Sequence, residues 1–82
     1  MPEIGEWVLY VLGGESNHAG EVRPALVVRV WSQTIVNLIV FGDGENDKLL
    51  SPNGWVESPQ PRWLTSIELD DDHAEYTWHR AA

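Results

Sequence analysis

The sequence predicts a small all-β domain, a barrel or roll of about five antiparallel strands. Short runs rich in β-branched and aromatic residues alternate with segments of Gly, Pro and acidic residues, which is typical of strands joined by turns. No run of about ten or more residues repeats with the period of a helix. The length of 82 residues fits a single domain with a small core, so each large apolar side chain matters for stability.

The first strand is predicted over residues 6–12, where apolar residues are almost continuous until Gly13-Gly14 ends the run. Alternation places Trp7, Leu9 and Val11 on one face and Val8, Tyr10 and Leu12 on the other. Neither face is polar, so we expect both to be partly covered. The segment 13–21 has the composition of a surface loop.

The central feature is a predicted hairpin whose two long strands, 22–31 and 34–41, are joined at Ser32-Gln33. A tight turn, or a four-residue loop over 31–34, pairs Val30 with Ile35, Val28 with Asn37 and Leu26 with Ile39. One face then carries Pro24, Leu26, Val28, Val30, Ile35, Asn37, Ile39 and Phe41. The other carries Arg23, Ala25, Val27, Arg29, Trp31, Thr34, Val36, Leu38 and Val40. The first face is aliphatic except for Asn37, which predicts that it forms the core.

The second face of this hairpin combines two Arg and a Trp with Val and Leu. It is too apolar to be left to solvent and too charged to be buried completely. Either a second sheet or a loop covers it, or it is a subunit interface or a ligand surface. The need for a cover predicts a homo-oligomer. An Arg near Trp31 is expected to stack on the indole ring.

The second half of the chain is predicted to contain shorter elements. Residues 42–47 form a turn, and residues 48–50 form a short strand. The segment 51–62 holds three Pro and the turn signal Asn53-Gly54, which indicates a long loop. Two further strands are predicted at 63–69 and 76–79, with an acidic connection at 70–74.

The chain is acidic, because 13 Asp and Glu against five Lys and Arg give a formal net charge of −8. Such a surface repels nucleic-acid phosphates and anionic lipid, so general nucleic-acid or membrane binding is not expected. The acidic charge serves solubility, or else it docks the protein onto a basic partner, for example by mimicry of a nucleic-acid backbone. The absence of Cys excludes disulfides and thiolate sites. The first residues lack a signal-peptide pattern and no apolar run reaches the ~20 residues of a membrane helix, which predicts a cytoplasmic protein.

No residue pattern predicts catalysis, a metal site or a cofactor. The acidic residues of 43–47 lack the spacing of a calcium loop, and the three His share no zinc-site spacing. The five Trp are more informative. Most are expected to pack in the core and at its rim, but one or two exposed Trp beside Arg would form a stacking platform for a base or a partner side chain.

Five segments in a fixed order resemble a family of small uncharacterised proteins of tailed bacteriophages and prophages. They are residues 22–28, 36–41, 42–47, 63–67 and 77–79. The resemblance covers most of the chain from Val22 onward, and the insertion-like segment 48–62 departs from the compact form of that family. It implies a phage origin rather than a mechanism.

A second resemblance is local. The run Gly5-Glu6-Trp7-Val8-Leu9-Tyr10, followed by Arg23-Pro24-Ala25-Leu26-Val27-Val28, is similar to the start of the MazF/PemK-like toxin endoribonucleases. The resemblance implies a small SH3-like barrel, and in that family the Arg of the Arg-Pro pair, here Arg23, contributes to RNA cleavage. The segment that supplies the toxins' other catalytic group and their C-terminal helix have no counterpart here, so we carry over the barrel and not the nuclease.

These features predict a non-enzymatic phage accessory protein that binds and neutralises a host component in the cytoplasm of the infected bacterium. The preferred ligand is a small nucleotide-like signal of host defence, with its base on Trp31 or Trp63 and its phosphate on Arg23 or Arg29. The alternatives are an acidic inhibitor of a basic host protein and a minor structural protein of the virion. The predicted binding residues are Arg23, Arg29, Trp31, Asn37, Asp43, Asn46, Asp47, Trp63, Ser66, Trp78 and His79.

Overall fold

The computed structural model describes residues 1–57 and 61–81, and it is built of strands and loops. Seven strands follow one another along the chain: β1 Trp7–Val11, β2 Val22–Val30, β3 Ile35–Val40, β4 Lys48–Ser51, β5 Gly54–Glu57, β6 Arg62–Glu68 and β7 Trp78–His79. The only helical element in the described ranges is a 3-10 turn at Gly44–Asn46. None of the described residues belongs to a helix that could span a membrane. The all-β prediction is confirmed.

Five of the strands form one antiparallel sheet in the order β6-β3-β2-β1-β7. The sheet curls into a half-barrel whose two edges meet at one end, where Leu69 and Trp78 form a parallel bridge. The Asp70 N–H donates to the Trp78 carbonyl oxygen at 2.9 Å and strengthens this junction. The predicted barrel or roll of about five strands is therefore present as an incompletely closed sheet.

Strands β4 and β5 form a separate two-stranded hairpin, which we call the arm. The prediction of a long loop over 51–62 missed it, and residues 58–60 of that loop lie outside the described residues. The turn signal Asn53-Gly54 was interpreted correctly, since Gly54 has a φ of +104° at the tip of the arm. Pro52 lies in the turn, where a strand hydrogen bond is not required, so it does not break the pairing.

The core lies inside the curl of the sheet. Its buried apolar residues are Val8, Tyr10, Leu12, Ala25, Val27, Val36, Leu38, Val40 and Trp78. The Trp78 ring is completely buried, and its indole N–H donates to the Thr34 carbonyl oxygen at 3.0 Å. The hairpin face that was predicted to need a cover is thus the core, and the prediction that the aliphatic face forms the core was wrong.

A bulge at Val28 explains this exchange of faces. The predicted pairing of Leu26 with Ile39 is present, but beyond Val27 the register shifts, so that Arg29 pairs with Asn37. One extra residue in a strand moves every later side chain to the opposite face. Arg29 therefore leaves the core face, whereas Arg23 stays at the far end of that face, opposite Tyr10, where its side chain is 12% exposed and pairs with Asp47. The connection becomes a three-residue loop, 32–34, closed by the Trp31 N–H on the Ile35 carbonyl oxygen at 2.9 Å.

The outer face of the sheet is organised in rows of side chains that lie opposite one another on neighbouring strands. One row, which we call the tryptophan row, consists of Trp7, Leu26, Ile39 and Trp63 on β1, β2, β3 and β6. The tryptophans at its ends are 59% and 68% exposed, whereas the two residues between them are half-buried. Phe41 extends the apolar surface, with its ring centroid 5.5 Å from that of Trp7.

Candidate functional site

Four of the predicted binding residues meet at the end of the outer face beside the β2–β3 loop. We call this group the turn corner; it consists of Arg29, Trp31, Asn37 and Ser66, joined by Thr65, which the sequence did not single out. The bulge in β2 places Arg29 opposite Asn37. A second irregularity, in β6, leaves Thr65 and Ser66 to share the position on the other side of Asn37. Two bulges, in the strands that flank β3 on either side, therefore build the group.

Asn37 holds the turn corner together through one oxygen. Its Oδ1 accepts hydrogen bonds from Trp31 Nε1 at 2.9 Å, from Thr65 Oγ1 at 3.0 Å and from the Ser66 N–H at 2.8 Å. Ser66 has a φ of +58°, a conformation that costs roughly 1–2 kcal/mol for a residue with a Cβ. The hydrogen bond from its N–H helps to compensate that cost. Asn37 thus determines where the indole of Trp31 lies.

Arg29 stacks on Trp31 and has no other strong partner. The guanidinium carbon lies 3.9 Å from the ring centroid, and the Trp31 side chain remains 52% exposed. No carboxylate among residues 1–56 and 61–81 forms an ion pair with Arg29, whereas each of the other Arg residues pairs with at least one. The turn corner therefore presents an unpaired cation on an exposed aromatic ring, as the sequence predicted for an Arg near Trp31.

The exposed Trp63 stands in the tryptophan row next to the turn corner, one row along the strands, which corresponds to roughly 7 Å. Trp63, which was also predicted as a binding residue, therefore lies near the turn corner although it belongs to another strand. Sequence reasoning did not single out Trp7 or Phe41, although alternation in the first strand had already placed Trp7 on the face opposite Tyr10. Only the pairing of β1 with β2 shows that Trp7 and Trp63 belong to the same row.

The other predicted acidic and basic residues meet elsewhere, around the buried carboxylate of Asp47. Arg23 donates to it twice, from Nε at 2.7 Å and from Nη2 at 2.6 Å. The Asp43 N–H donates to it at 2.7 Å, and His18 Nδ1 lies 3.1 Å from it. Asn46 belongs to the same turn, where its side-chain amide donates to Asp43 Oδ2 at 3.3 Å. We call Asp47, Arg23, His18 and the Asp43 N–H the Asp47 cluster.

The electrostatics of the Asp47 cluster favour a permanent ion pair. The hydrogen bonds from Arg23 hold the pKa of Asp47 well below its usual range, and the contacts from Asp43 and His18 act in the same direction against the opposing effect of burial. Asp47 in turn raises the pKa of Arg23. The remaining Arg23 nitrogen, Nη1, donates to the Val22 carbonyl oxygen at 2.9 Å. Every nitrogen of Arg23 is engaged in a hydrogen bond. Arg23 could therefore bind a phosphate, as predicted, only if its hydrogen bonds to Asp47 were broken.

The last two predicted residues lie side by side in β7 but on opposite faces. Trp78 is a core residue, and its complete burial leaves no ring surface for a ligand. His79 is almost completely buried beneath His73, with the two rings stacked 3.6 Å apart at 14°. Its Nδ1 has no hydrogen-bond partner within the part of the chain that the structure describes. Burial lowers the pKa of His79, and the neighbouring His73 lowers it further.

A cleft lies on the side of the molecule where the arm joins the sheet. It is lined by Leu12, Ser16, Val40, Gly42, Asp47, Lys48, Leu49 and Arg62. Its volume of about 250 Å³ includes space that is open to solvent. The cleft does not include the turn corner. Among the described residues, no group of three or more His, Asp or Glu is arranged to hold a metal ion.

Comparison of this chain with protein-family models, with curated proteins and with solved structures gives no match. Its function is therefore inferred from the geometry of its own residues. The turn corner combines the exposed ring of Trp31 with a position that a hydrogen bond to Asn37 fixes, and the tryptophan row adds two further exposed rings.

Proposed function

We propose that the protein is a non-enzymatic phage accessory protein that neutralises a host defence signal by binding it, and that the ligand is a small nucleotide-like molecule held at the turn corner. The observation that carries this proposal is the unpaired Arg29 stacked on the half-exposed ring of Trp31. A nucleotide offers an aromatic base and an anionic phosphate, which complement these two groups.

The turn corner holds the indole of Trp31 in position before a ligand binds. Asn37 already fixes the Trp31 indole, so little side-chain entropy is lost when a base stacks on it. The hydroxyls of Thr65 and Ser66 lie beside it and offer hydrogen bonds to a ribose or a phosphate. Because Trp31 and Arg29 both lie at the surface, the proposed complex forms on an open face and not in an enclosed pocket.

Among the cations that were predicted to meet the phosphate, Arg29 is preferred over Arg23. Arg23 already donates to the Asp47 carboxylate in a bidentate manner. Removing it from there would leave a buried carboxylate unpaired, which costs several kcal/mol. Arg29 would give up its contact with the Trp31 ring, which belongs to the same site.

Isothermal titration of the purified protein with a panel of cyclic and linear nucleotides tests the proposal. We expect measurable heat with at least one of them, and a loss of affinity of at least ~10-fold in Arg29→Gln and in Trp31→Leu, since each removes one of two recognition groups. Arg80→Gln is the matched control, because Arg80 also lies over a tryptophan, at 5.1 Å from the Trp78 ring, but on a buried one. The absence of heat with every nucleotide would overturn the proposal.

A second candidate is an acidic inhibitor of a basic host protein. It is supported by the loop 70–77, in which Asp70, Asp71, Asp72 and Glu75 form no ion pair with any described residue. A basic partner captured in this way should dissociate steeply as salt is raised, because exposed charges are screened. Replacing Asp71 and Asp72 together by Asn should weaken such a complex and leave nucleotide binding unchanged.

A further inference from the structure

The outer face of the sheet carries an apolar surface that no other part of the described chain covers. Its centre is the tryptophan row, and a second row beside it contains Leu9, Pro24 and Phe41. The tryptophans at the ends of the first row are among the most exposed large apolar side chains of the protein. Aromatic residues in contiguous exposed apolar patches mark interaction surfaces.

The tryptophan row has the same chemical order in both directions. A tryptophan stands at each end, on β1 and β6, and two aliphatic residues stand between them on β2 and β3. A two-fold axis that runs parallel to the strands between Leu26 and Ile39 reverses the row. It therefore brings a second copy of the face into register, with Trp7 against Trp63 of the partner subunit and aliphatic against aliphatic side chains. Such self-complementarity is what a symmetric interface requires.

The exposed aromatic surface supplies a substantial part of the area that a dimer requires. A Trp side chain exposes up to ~250 Å², so exposures of 59% and 68% leave roughly 300 Å² on Trp7 and Trp63 together. The other residues of the two apolar rows are half-buried or exposed and add to this apolar surface. A standard interface buries about 800 Å² per partner, including a polar rim. The turn corner adjoins the row and supplies part of that rim.

The charge distribution favours a second copy over a basic partner on this face. The side chains of the tryptophan row and its neighbour row carry no carboxylate that a basic partner could recognise. Most of the unpaired acidic residues lie in the loop 70–77 and in the turn around Gly44–Asn46, and Glu68 lies on the outer face beyond the turn corner, all outside the two apolar rows. Two copies that meet through the rows therefore keep these charges away from the centre of the interface, and the remaining repulsion is reduced by salt.

We propose that the outer face is the interface of a two-fold symmetric homodimer in which the tryptophan rows of two copies pack on each other. The sequence predicted an oligomer because the other hairpin face required a cover, but that face is filled by the core. The inference stands on the two apolar rows and does not depend on the nucleotide proposed as ligand.

Sedimentation velocity of the full chain between about 1 and 300 μM tests the dimer. We expect a monomer–dimer equilibrium in the wild type. Trp63→Glu should weaken it by roughly 30-fold or more, because each dimer would contain two buried, unpaired carboxylates at the ends of the row. The matched control is Trp55→Glu, since Trp55 is a similarly exposed tryptophan at 47% but lies on the arm. It should dimerise like the wild type.

Two further measurements keep the test independent of folding. Far-ultraviolet circular dichroism and the melting temperature should show that Trp63→Glu is folded, because Trp63 is 68% exposed in the wild type. Trp7→Glu, at the other end of the row, should weaken the dimer in the same way. The dimer should strengthen between about 50 and 500 mM NaCl. A wild type that stays monomeric up to 300 μM, or a dimer that Trp55→Glu disrupts and the two row variants do not, would overturn the proposal.

Discussion

Two polar residues organise their surroundings in different ways. Asp47 is buried and collects hydrogen bonds from three segments of the chain, those of His18, Arg23 and Asp43. Asn37 lies on the outer face and collects three hydrogen bonds that orient an exposed tryptophan. The sequence marked both positions as unusual, Asp47 through its turn and Asn37 through its place in an aliphatic strand. Their partners follow from strand pairing, which distributes them over distant parts of the chain.

The Asp47 cluster leads to a prediction about stability. Asp47→Asn should lower the free energy of unfolding at pH 7 by about 3 kcal/mol, because Arg23 would keep its charge in a largely buried site with only the exposed Glu21 carboxylate as a counterion. Urea denaturation followed by tryptophan fluorescence measures this change. Asp43→Asn is the matched control, since the Asp43 carboxylate is exposed and, within the part of the chain that the structure describes, accepts only from Asn46 at 3.3 Å. It should cost less than about 1 kcal/mol.

The same pair of variants separates the acid sensitivity of Asp47 from that of other carboxylates. The pKa of Asp47 in the folded state lies below its value of about 3.9 in an unfolded chain. Its stabilising effect is therefore complete above about pH 4 and is lost as the pH falls further. Asp47→Asn should lack this part of the acid destabilisation. An identical pH dependence in the wild type and in Asp47→Asn would contradict the assignment.

At the level of elements, the loop 70–77 is attached to the sheet by close contacts of two aromatic side chains. His73 and Tyr76 have φ values of +63° and +68°, so both are held in the left-handed region. The Tyr76 ring packs directly on Gly13, where an added Cβ would lie 2.1 Å from the ring. Gly13 is thus required by a close approach, whereas its position in the sequence indicated only the end of a strand.

His79 should make the attachment of this loop sensitive to pH. Burial and His73 lower the pKa of His79 in the folded state, with the nearby Asp71 opposing them. The unfolded chain therefore binds the proton more readily, and the free energy of unfolding should fall as the pH drops below about 6.5. His79→Phe keeps an aromatic ring for His73 to stack on and loses no hydrogen bond at Nδ1, which has no partner among the described groups.

Urea denaturation at pH 7.5 and at pH 5.5 checks this expectation. The decrease in stability between the two pH values should be smaller in His79→Phe than in the wild type, because the variant retains His18 and His73 and lacks only His79. Equal decreases in the two proteins would show that His79 does not couple folding to protonation.

Across the whole molecule, charge and shape are unevenly distributed. The chain extends 40 Å in one direction and 21–22 Å in the others. Five Lys and Arg oppose 13 Asp and Glu, and the Arg23–Asp47 pair is the most deeply buried of the ion pairs between described residues that do not involve His. Most of the remaining acidic groups repel one another through solvent, so the native state carries an excess negative charge that salt can screen.

This distribution predicts that salt stabilises the monomer. Raising NaCl from about 10 to 200 mM shortens the screening length from roughly 30 Å to less than 10 Å. The melting temperature should rise by about 4 °C, which corresponds to a gain of ~1 kcal/mol for a domain of this size. Thermal unfolding of the Trp63→Glu variant at about 1 μM measures the effect without association. A lower melting temperature at 200 mM NaCl would mean that the exposed ion pairs outweigh the repulsion.

Strand composition, turn residues and the absence of a helical period were sufficient to predict an all-β chain, most strand positions and the distal half of the hairpin register, because these depend on local residue preferences. The candidate residues Arg29, Trp31, Asn37 and Ser66 were also singled out from their types. Which face became the core could not be predicted in this way. It depends on one bulged residue, Val28, and a period-two pattern gives no signal for such an insertion.

The same reason applies to the site. The turn corner requires bulges in two strands that are far apart in the chain, and the tryptophan row requires the pairing of four strands. Burial of Trp78 and exposure of Trp63 follow from the curl of the sheet, although both residues lie in short strands of similar composition. The local sequence determines which residues form strands, and packing across the curled sheet determines which of their side chains remain exposed for binding.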